Sequence, residues 1–333
     1  MEALPDEPIE QKFADCGEVG CVINYMRASA DVFILLMHIS WLKTGGIMAE
    51  CMIAVICGIV LIALLSAVFD SNRFVTRTYE IRSKKLTKPC KFVLLADLHN
   101  KSFGKENDRL LSAIEEISPD GILVAGDMLT AEKGTDFSHA LSLMERLAKS
   151  YPVYYGMGNH EYRLGLYPAQ YPGMYEGYIA GLKKAGIEPL INEAAYLPAW
   201  NISVCGAQID RDYYKHLRRA PMEPTYLPKI LGVPDRDKFQ LLIAHNPVYF
   251  DAYADWGADL VVSGHVHGGI MRLPFLGGVL SPSLTLFPRY DGGLFREYGS
   301  TMILSRGLSS HTIPIRIFNP GELIVIDLMP DKQ

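Results

Sequence analysis

Residues 51–69 run for 19 positions without a charge, closed at the two ends by Glu50 and Asp70. At ~1.5 Å per residue such a helix is roughly 28 Å long, close to the hydrocarbon core of a bilayer. It is apolar on every face, whereas a soluble helix keeps one wet side. The pattern predicts a transmembrane helix over residues 48–70. No small-x-small pair follows at Ser66-Ala67-Val68, so the segment does not read as a cleaved signal peptide. Beyond residue 70 short apolar runs alternate with amphipathic stretches. Residues 91–96, 121–125, 153–155, 202–206, 240–244, 260–263, 302–305 and 323–326 read as strands, and 107–117, 137–149 and 175–185 as helices. Alternation of this kind predicts an α/β fold, sheets covered by helices.

Flanking charge gives an orientation. The 20 residues before the span carry one basic residue, Lys43, and the 20 after it carry Arg73, Arg77, Arg82, Lys84, Lys85 and Lys88. The positive-inside bias puts the C-terminal domain in the cytoplasm, on a single-pass anchor. Upstream, the apolar stretch 32–42 has only 11 residues, is interrupted by His38 and is cut from the next helix by Gly45-Gly46, so it is too short to span. The expected organisation is an N-terminal extension over 1–47 (dispensable if Met48 is a start), the membrane helix over 48–70, a basic juxtamembrane linker over 71–88 and one α/β domain over 89–330.

Composition excludes more than it assigns. Of 333 residues, 49% are hydrophobic and 21% charged, ordinary for a globular protein and wrong for a disordered one. With 32 Lys+Arg against 37 Asp+Glu the net charge is −5, which gives no electrostatic case for nucleic-acid binding. Four of the 6 cysteines (Cys16, Cys21, Cys51, Cys57) precede the domain, leaving Cys90 and Cys205 within it. Two distant thiols staple nothing, so the domain must stand on its core. No feature calls for an obligatory protein partner.

The chemistry sits in five short blocks, each following an expected strand: Asp97-Leu98-His99, Gly126-Asp127, Gly158-Asn159-His160-Glu161, His245-Asn246-Pro247 and Gly264-His265-Val266-His267-Gly268-Gly269. Alone, Asp-x-His or Asn-His-Glu is an ordinary turn or helix cap, and a single histidine is usually a satisfied core residue. Together they hold five of the 9 histidines, all at the sheet end where open α/β folds bind ligands. Asp97, His99, Asp127, Asn159, His245, His265 and His267 offer more donors than one divalent ion needs. Mixed nitrogen and oxygen donors without thiolate favour Mn, Fe or Zn, and two-metal sites serve in-line phosphoryl displacement.

This ordered set resembles the calcineurin-like metallophosphoesterase superfamily over residues 89–328. The tail Phe287-Pro288-Arg289-Tyr290-Asp291 with Ser305-Arg306-Gly307-Leu308 is similar to a narrower group of membrane-associated bacterial phosphodiesterases, some acting on UDP-diacylglucosamine or related lipid phosphates. The resemblance implies a four-layer α/β/β/α sandwich with two divalent metal ions at the sheet ends. It implies that Asp97, His99 and His267 hold one ion, that Asn159, His245 and His265 hold the other, and that Asp127 bridges them. His160 then contacts the phosphate and the leaving oxygen as general acid, and Glu161 orients neighbours without touching metal. The implied reaction is in-line attack on a phosphate ester by a hydroxide shared between the ions. Thr130 stands where an acidic residue is common in the family, and Ile270 where a polar one is; neither matches a ligand position.

Substrate class is less legible. Protein Ser/Thr phosphatases usually read G-D-x-V-D-R-G and R-G-N-H-E, whereas residues 126–132 here are GDMLTAE and 157–161 are MGNHE, which disfavours a phosphoprotein. Tyr162, Tyr167, Tyr171, Tyr175 and Tyr178 crowd the loop after the third block, as packing or as an aromatic rim. Arg272 is placed to reach a second phosphate and Tyr162 to touch the ester. Arg211, Lys215, Arg218 and Arg219 form a solvated face or a contact with anionic headgroups. The tether favours a lipid-linked or envelope substrate, and the expected activity is that of a phosphodiesterase or pyrophosphatase on a small or lipid-linked phosphate ester. The rival reading is a catalytically silent scaffold or binding module at the membrane, which loss of metal ligands would mark; none is lost.

Overall fold

A long uncharged run satisfies its backbone only as a helix when no water is at hand, and Ile47–Ser71 forms α1, 25 residues with Glu50 in its first turn. Its stretch Glu50–Ser71 is long and apolar enough to cross a membrane, and the side chains of its most apolar 18-residue window are not packed away inside the protein. The computed structural model describes residues 31–32, 34–35, 47–215, 220–273, 275–280, 286–310 and 315–331. The expectations for 1–46 therefore lie almost wholly outside the described residues. The chain divides into two compact units, Met1–Asp70 and Ser71–Gln333.

In the second unit the elements run β1 (Phe74–Ser83), β2 (Cys90–Leu95), α2 (Asp108–Ile117), β3 (Gly121–Ala125), α3 (Ser138–Ala148), β4 (Val153–Gly156), α4 (Asn159–Leu166), α5 (Met174–Lys184), β5 (Glu193–Leu197), β6 (Ile202–Ala207), α6 (Tyr226–Leu231), β7 (Phe239–Ala244), α7 (Phe250–Trp256), β8 (Leu260–Ser263), β9 (Met271–Leu273), β10 (Gly277–Leu280), β11 (Gly293–Glu297), β12 (Ser300–Leu304) and β13 (Gly321–Pro330). They build a five-stranded sheet in the order β1-β13-β2-β3-β4, a six-stranded sheet in the order β11-β12-β8-β7-β6-β5, and the small ribbon β9-β10.

Strand alternation makes the layers. Because successive side chains point to opposite faces, Phe92 and Leu94 of β2 meet Phe239, Leu241 and Ile243 of β7 between the two sheets. Val93 and Leu95 face the other way, onto Leu110 and Ile114 of α2 and Leu143 and Leu147 of α3. On the far side Leu242 of β7 and Val261 of β8 pack against Phe250, Tyr253 and Trp256 of α7. Helix, sheet, sheet, helix: the molecule is the four-layer sandwich.

Residues 71–88 are not a linker. Phe74–Ser83 is an edge strand paired in parallel with β13 over its whole length, from Phe74↔Gly321 to Ser83↔Pro330. Its exposed Thr76, Arg77, Thr78, Glu80 and Arg82 hide it from a hydrophobicity scan, and charges on an edge strand deter pairing with other chains. The basic residues read as an orientation signal also serve the fold. Arg77 pairs with buried Glu322 at 2.6 Å, Arg82 with Glu80 at 2.7 Å and Lys85 with Asp259 at 2.8 Å.

Candidate metal centre

Strands β2, β3 and β4 are parallel in one sheet, and β6, β7, β8 and β12 in the other. The five blocks are the loops leaving β2, β3, β4, β7 and β8 at their carboxyl ends. Asp97, His99, Asp127, His265 and His267 all hold φ between 49° and 77°. Few non-glycine residues adopt this region, at a cost on the order of 1–3 kcal/mol each. Neighbouring loops hold them there: Asp97 N–H donates to Gly126 O at 3.0 Å, His99 N–H to Asp127 O at 3.2 Å, and Ser309 N–H to Asp97 O at 2.8 Å. Gly126, at φ +85°, lies so close on the Gly158 backbone that a Cβ would overlap it.

The loops bring the ligand-type side chains into two groups that meet. Donor atoms of Asp97, His99 and His267 lie within 4.8 Å of one another, as do those of Asp127, His245 and His265; His99, Asp127 and His160 form a third such set. Their orientation suits cations. His245 Nδ1 donates to Ala125 O at 2.6 Å and His267 Nδ1 to Ser309 O at 3.0 Å, which leaves each Nε2 to face the cleft. His99 Nδ1 is engaged by Thr130 Oγ1 at 3.2 Å. The Asn159 Oδ1 is buried with no hydrogen-bond partner, while its neighbour His160 donates its backbone N–H to Asp127 Oδ1 at 2.8 Å. An orphaned amide oxygen, imidazole lone pairs and two buried carboxylates in one cleft fit a pair of divalent ions.

His245 shows the electrostatic problem that those ions solve. Its Nε2 sits 3.0 Å from Asp127 Oδ2 and 3.9 Å from Asp97 Oδ1. Burial alone would depress its pKa, but the Asp127 and Asp97 carboxylates carry it up to about 9. Below that pH the ring is an imidazolium and has no lone pair to offer, so metal entry must expel a proton. Calorimetric titration of metal-free protein with Mn²⁺ in buffers of different ionisation enthalpy should show at least one proton released per chain near pH 7.5, vanishing above about pH 10. Uptake that is independent of pH between 7 and 10 would contradict this geometry.

Glu161 is wholly buried and grips the loop that presents Asp127. Its Oε2 accepts from the N–H of Asp127 at 2.9 Å and of Gly158 at 3.1 Å, and its Oε1 from Met128 N–H at 2.8 Å and Tyr155 Oη at 2.9 Å. Burial first, then Asp127, push its pKa up to about 7. His160 Nδ1 accepts the Ala131 N–H at 2.8 Å, so the proton of the neutral ring resides on Nε2. Burial holds the pKa of this ring below its ordinary value.

Other expected contacts are placed differently. Arg272 is committed to the protein: its Nη1 donates to Gly268 O at 2.9 Å and Asp291 O at 2.6 Å, and its Nη2 pairs with Asp291 Oδ2 at 3.1 Å. It braces the loop after β8, with both terminal nitrogens tied to the protein. Tyr171 and Tyr178 are core residues and Tyr167 and Tyr175 pack against that core, so of the expected aromatic rim half-buried Tyr162 is left. Arg211 lies over the Tyr167 ring at 5.2 Å and Lys215 pairs with Asp212 at 2.6 Å; Arg218 and Arg219 lie outside the described residues. Three supports escaped the sequence reading. Thr130 engages His99, and Tyr214 packs edge-on against His265 at 5.4 Å. Buried Arg316 donates to Ser309 O at 2.8 Å, the same carbonyl that holds His267.

Known proteins are similar to this chain in sequence. The chain is 30% identical over 256 residues to an uncharacterised metallophosphoesterase of Helicobacter pylori, covering 75% of this chain and 62% of that protein, so it spans less than two thirds of that relative. It is 28% identical over 228 residues to the phosphodiesterase YaeI of Escherichia coli, covering 67% of this chain and 76% of that one. A transmembrane protein with metallophosphoesterase domain from Danio rerio is 28% identical over 253 residues, 72% of this chain and 53% of that one. The family model for calcineurin-like phosphoesterases matches residues 90–269, from the first residue of β2 through the loop that carries His265 and His267. That is more than half of the chain and takes in all five blocks: the chain belongs to the calcineurin-like phosphoesterase family.

Proposed function

We propose that this protein is a metal-dependent phosphohydrolase of the phosphodiesterase or pyrophosphatase type, acting on a small or lipid-linked phosphate ester. The observation that carries the reading is the pair of donor groups linked by the approach of His99 to Asp127, with the His160 ring alongside. Asp97, His99 and His267 would hold one cation, Asn159, His245 and His265 the other, and Asp127 both. Bound there, the pair would supply Lewis-acid activation of water and offset charge on the phosphoryl oxygens. The protein's own part is positional. Backbone N–H groups of His160 and His265 fix the Asp127 and Asp97 carboxylates, and Glu161 fixes the loop beneath Asp127. His160 turns a fixed Nε2–H toward the cleft, where it can donate to the leaving oxygen, while Tyr162 and Tyr214 flank the ester. A relative named as a phosphodiesterase supports that type, and the apolar α1 supports action at a membrane. Residual flanking charge (Arg73, Lys84 and Lys88 against Lys43) favours the cytoplasmic face.

Full-length protein supplied with Mn²⁺, Fe²⁺ or Zn²⁺ should cleave bis-p-nitrophenyl phosphate, lose that activity to a chelator and regain it on metal addition. Folded protein that turns over no phosphodiester with any of these ions would leave the silent-scaffold reading in its place.

A further inference from the structure

Among the described residues, five of the domain's nine large exposed apolar side chains gather on one ribbon beside the site. Phe275 is fully exposed at the β9–β10 turn, and Leu276, Leu286, Phe287 and Phe318 leave about half or more of their surface in water. They belong to one ribbon. β9 and β10 pair Leu273 with Gly277. Outside β10, Leu280 bridges Leu286 and Phe287 N–H donates to Val279 O at 2.9 Å. Outside β9, Ile317 exchanges hydrogen bonds with Ile270 and Arg272, both at 3.0 Å, which brings Phe318 alongside. The ribbon is tied to the site loop by Arg272 on Gly268 O and by Asn319 Nδ2 on His267 O at 2.8 Å. A contiguous apolar patch of this kind marks a surface that meets another apolar phase.

A second observation names that phase. β1 is parallel to β13, which is antiparallel to β2. Phe74 is level with Gly321 and Leu94 with Ile324, so the register carried forward puts Phe74 level with Asp97. The chain thus enters the domain at the end of the sheet that carries the site. Only Asn72 and Arg73 lie between α1 and β1, a connection reaching roughly 10 Å.

We propose that this ribbon is a membrane-docking surface: Phe275, Leu276, Leu286, Phe287 and Phe318 seat in the interfacial zone of the bilayer that holds α1, so the site opens onto the lipid surface and takes a phosphate ester borne by a lipid. The docking rests on α1 spanning the membrane; the substrate class rests also on the phosphohydrolase reading. Interfacial elements bury their apolar side by about 5–10 Å. With α1 as anchor this contact is intramolecular, so a weak intrinsic affinity suffices.

The test uses full-length protein in phosphatidylcholine–phosphatidylglycerol vesicles with brominated acyl chains. Phe275→Trp should add a blue-shifted emission quenched by the bromines, whereas Val233→Trp, in the loop before β7 at the opposite end of the sheet, should add an unquenched one. Phe275→Asp should slow hydrolysis of a vesicle-borne p-nitrophenyl phosphodiester of a long-chain alcohol about tenfold and leave bis-p-nitrophenyl phosphate unaffected. Quenching without turnover of either ester by the parent protein would keep the docking and remove the phosphohydrolase reading. An unquenched indole at 275, or equal slowing of both esters, overturns the docking. A blue shift that ignores bromine and grows with protein density would assign the ribbon to a second copy of the chain and overturn it too.

Discussion

Asp127→Asn should abolish binding of the cation pair and lower turnover about 10³–10⁴-fold, the loss expected when several kcal/mol of metal-derived stabilisation disappear. Asp127 belongs to the donor group with His245 and His265 and lies within 4.8 Å of His99 of the other, so the substitution removes the one charge that both ions would share. The amide retains an oxygen for the His160 N–H, which Asp127 Oδ1 accepts at 2.8 Å, and the backbone stays gripped by Glu161 at 2.9 Å. Loop geometry therefore survives while the charge goes. Stability should fall as well. Burial opposes ionisation of Asp127, but His245, 3.0 Å away, and then His160 hold its carboxyl well below the usual carboxylate range. Removing that charge leaves the buried imidazolium without its main partner, so metal-free Asp127→Asn should melt below the metal-free parent. Metal analysis, turnover and thermal melting together check this; two ions retained at parental affinity would show that Asp127 is not the shared ligand.

The site was legible because its chemistry is concentrated in loops that follow strands, and those strands are apolar enough to be read locally. The run 121–125 matches β3 to the residue, and β2, β4, β6, β7, β8 and β12 lie within two residues of their expected positions. The strands that escaped are those whose partners supply the missing hydrophobicity. β1 alternates charges over an edge, and β5, with Glu193 and Tyr196 exposed, carries only Leu197 as a fully buried side chain. What holds the ligands was illegible for another reason. His267 takes its acceptor from Ser309, 42 residues away, and His245 from Ala125, 120 residues away. Backbone carbonyls bear no sequence signature, and the Arg316 that braces one of them looks like any surface arginine until its burial is known. Arg272 fails in the opposite sense. Its position in the chain fits a phosphate contact, but Asp291, brought in from beyond β10, occupies it.

His160→Ala should retain both ions and lower kcat about 10²–10³-fold. The ring is held in one tautomer. Ala131 N–H points into Nδ1 at 2.8 Å, so an imidazolium would set one N–H against another, and burial further disfavours the charge. At neutral pH the group offered to substrate is therefore a neutral Nε2–H. A neutral imidazole is a poor proton donor but a good hydrogen-bond donor, so its benefit is to stabilise negative charge that develops on the departing or phosphoryl oxygen. The loss in His160→Ala should thus be similar for p-nitrophenyl and alkyl leaving groups, and the pH profile should gain or lose no limb near pH 6–7. His160→Gln, which keeps an N–H donor without a titrating ring, should recover part of the rate. A much larger loss on alkyl esters would restore full proton transfer to His160. Loss of one ion would instead make it a ligand, as its place within 4.8 Å of the His99 and Asp127 donors allows.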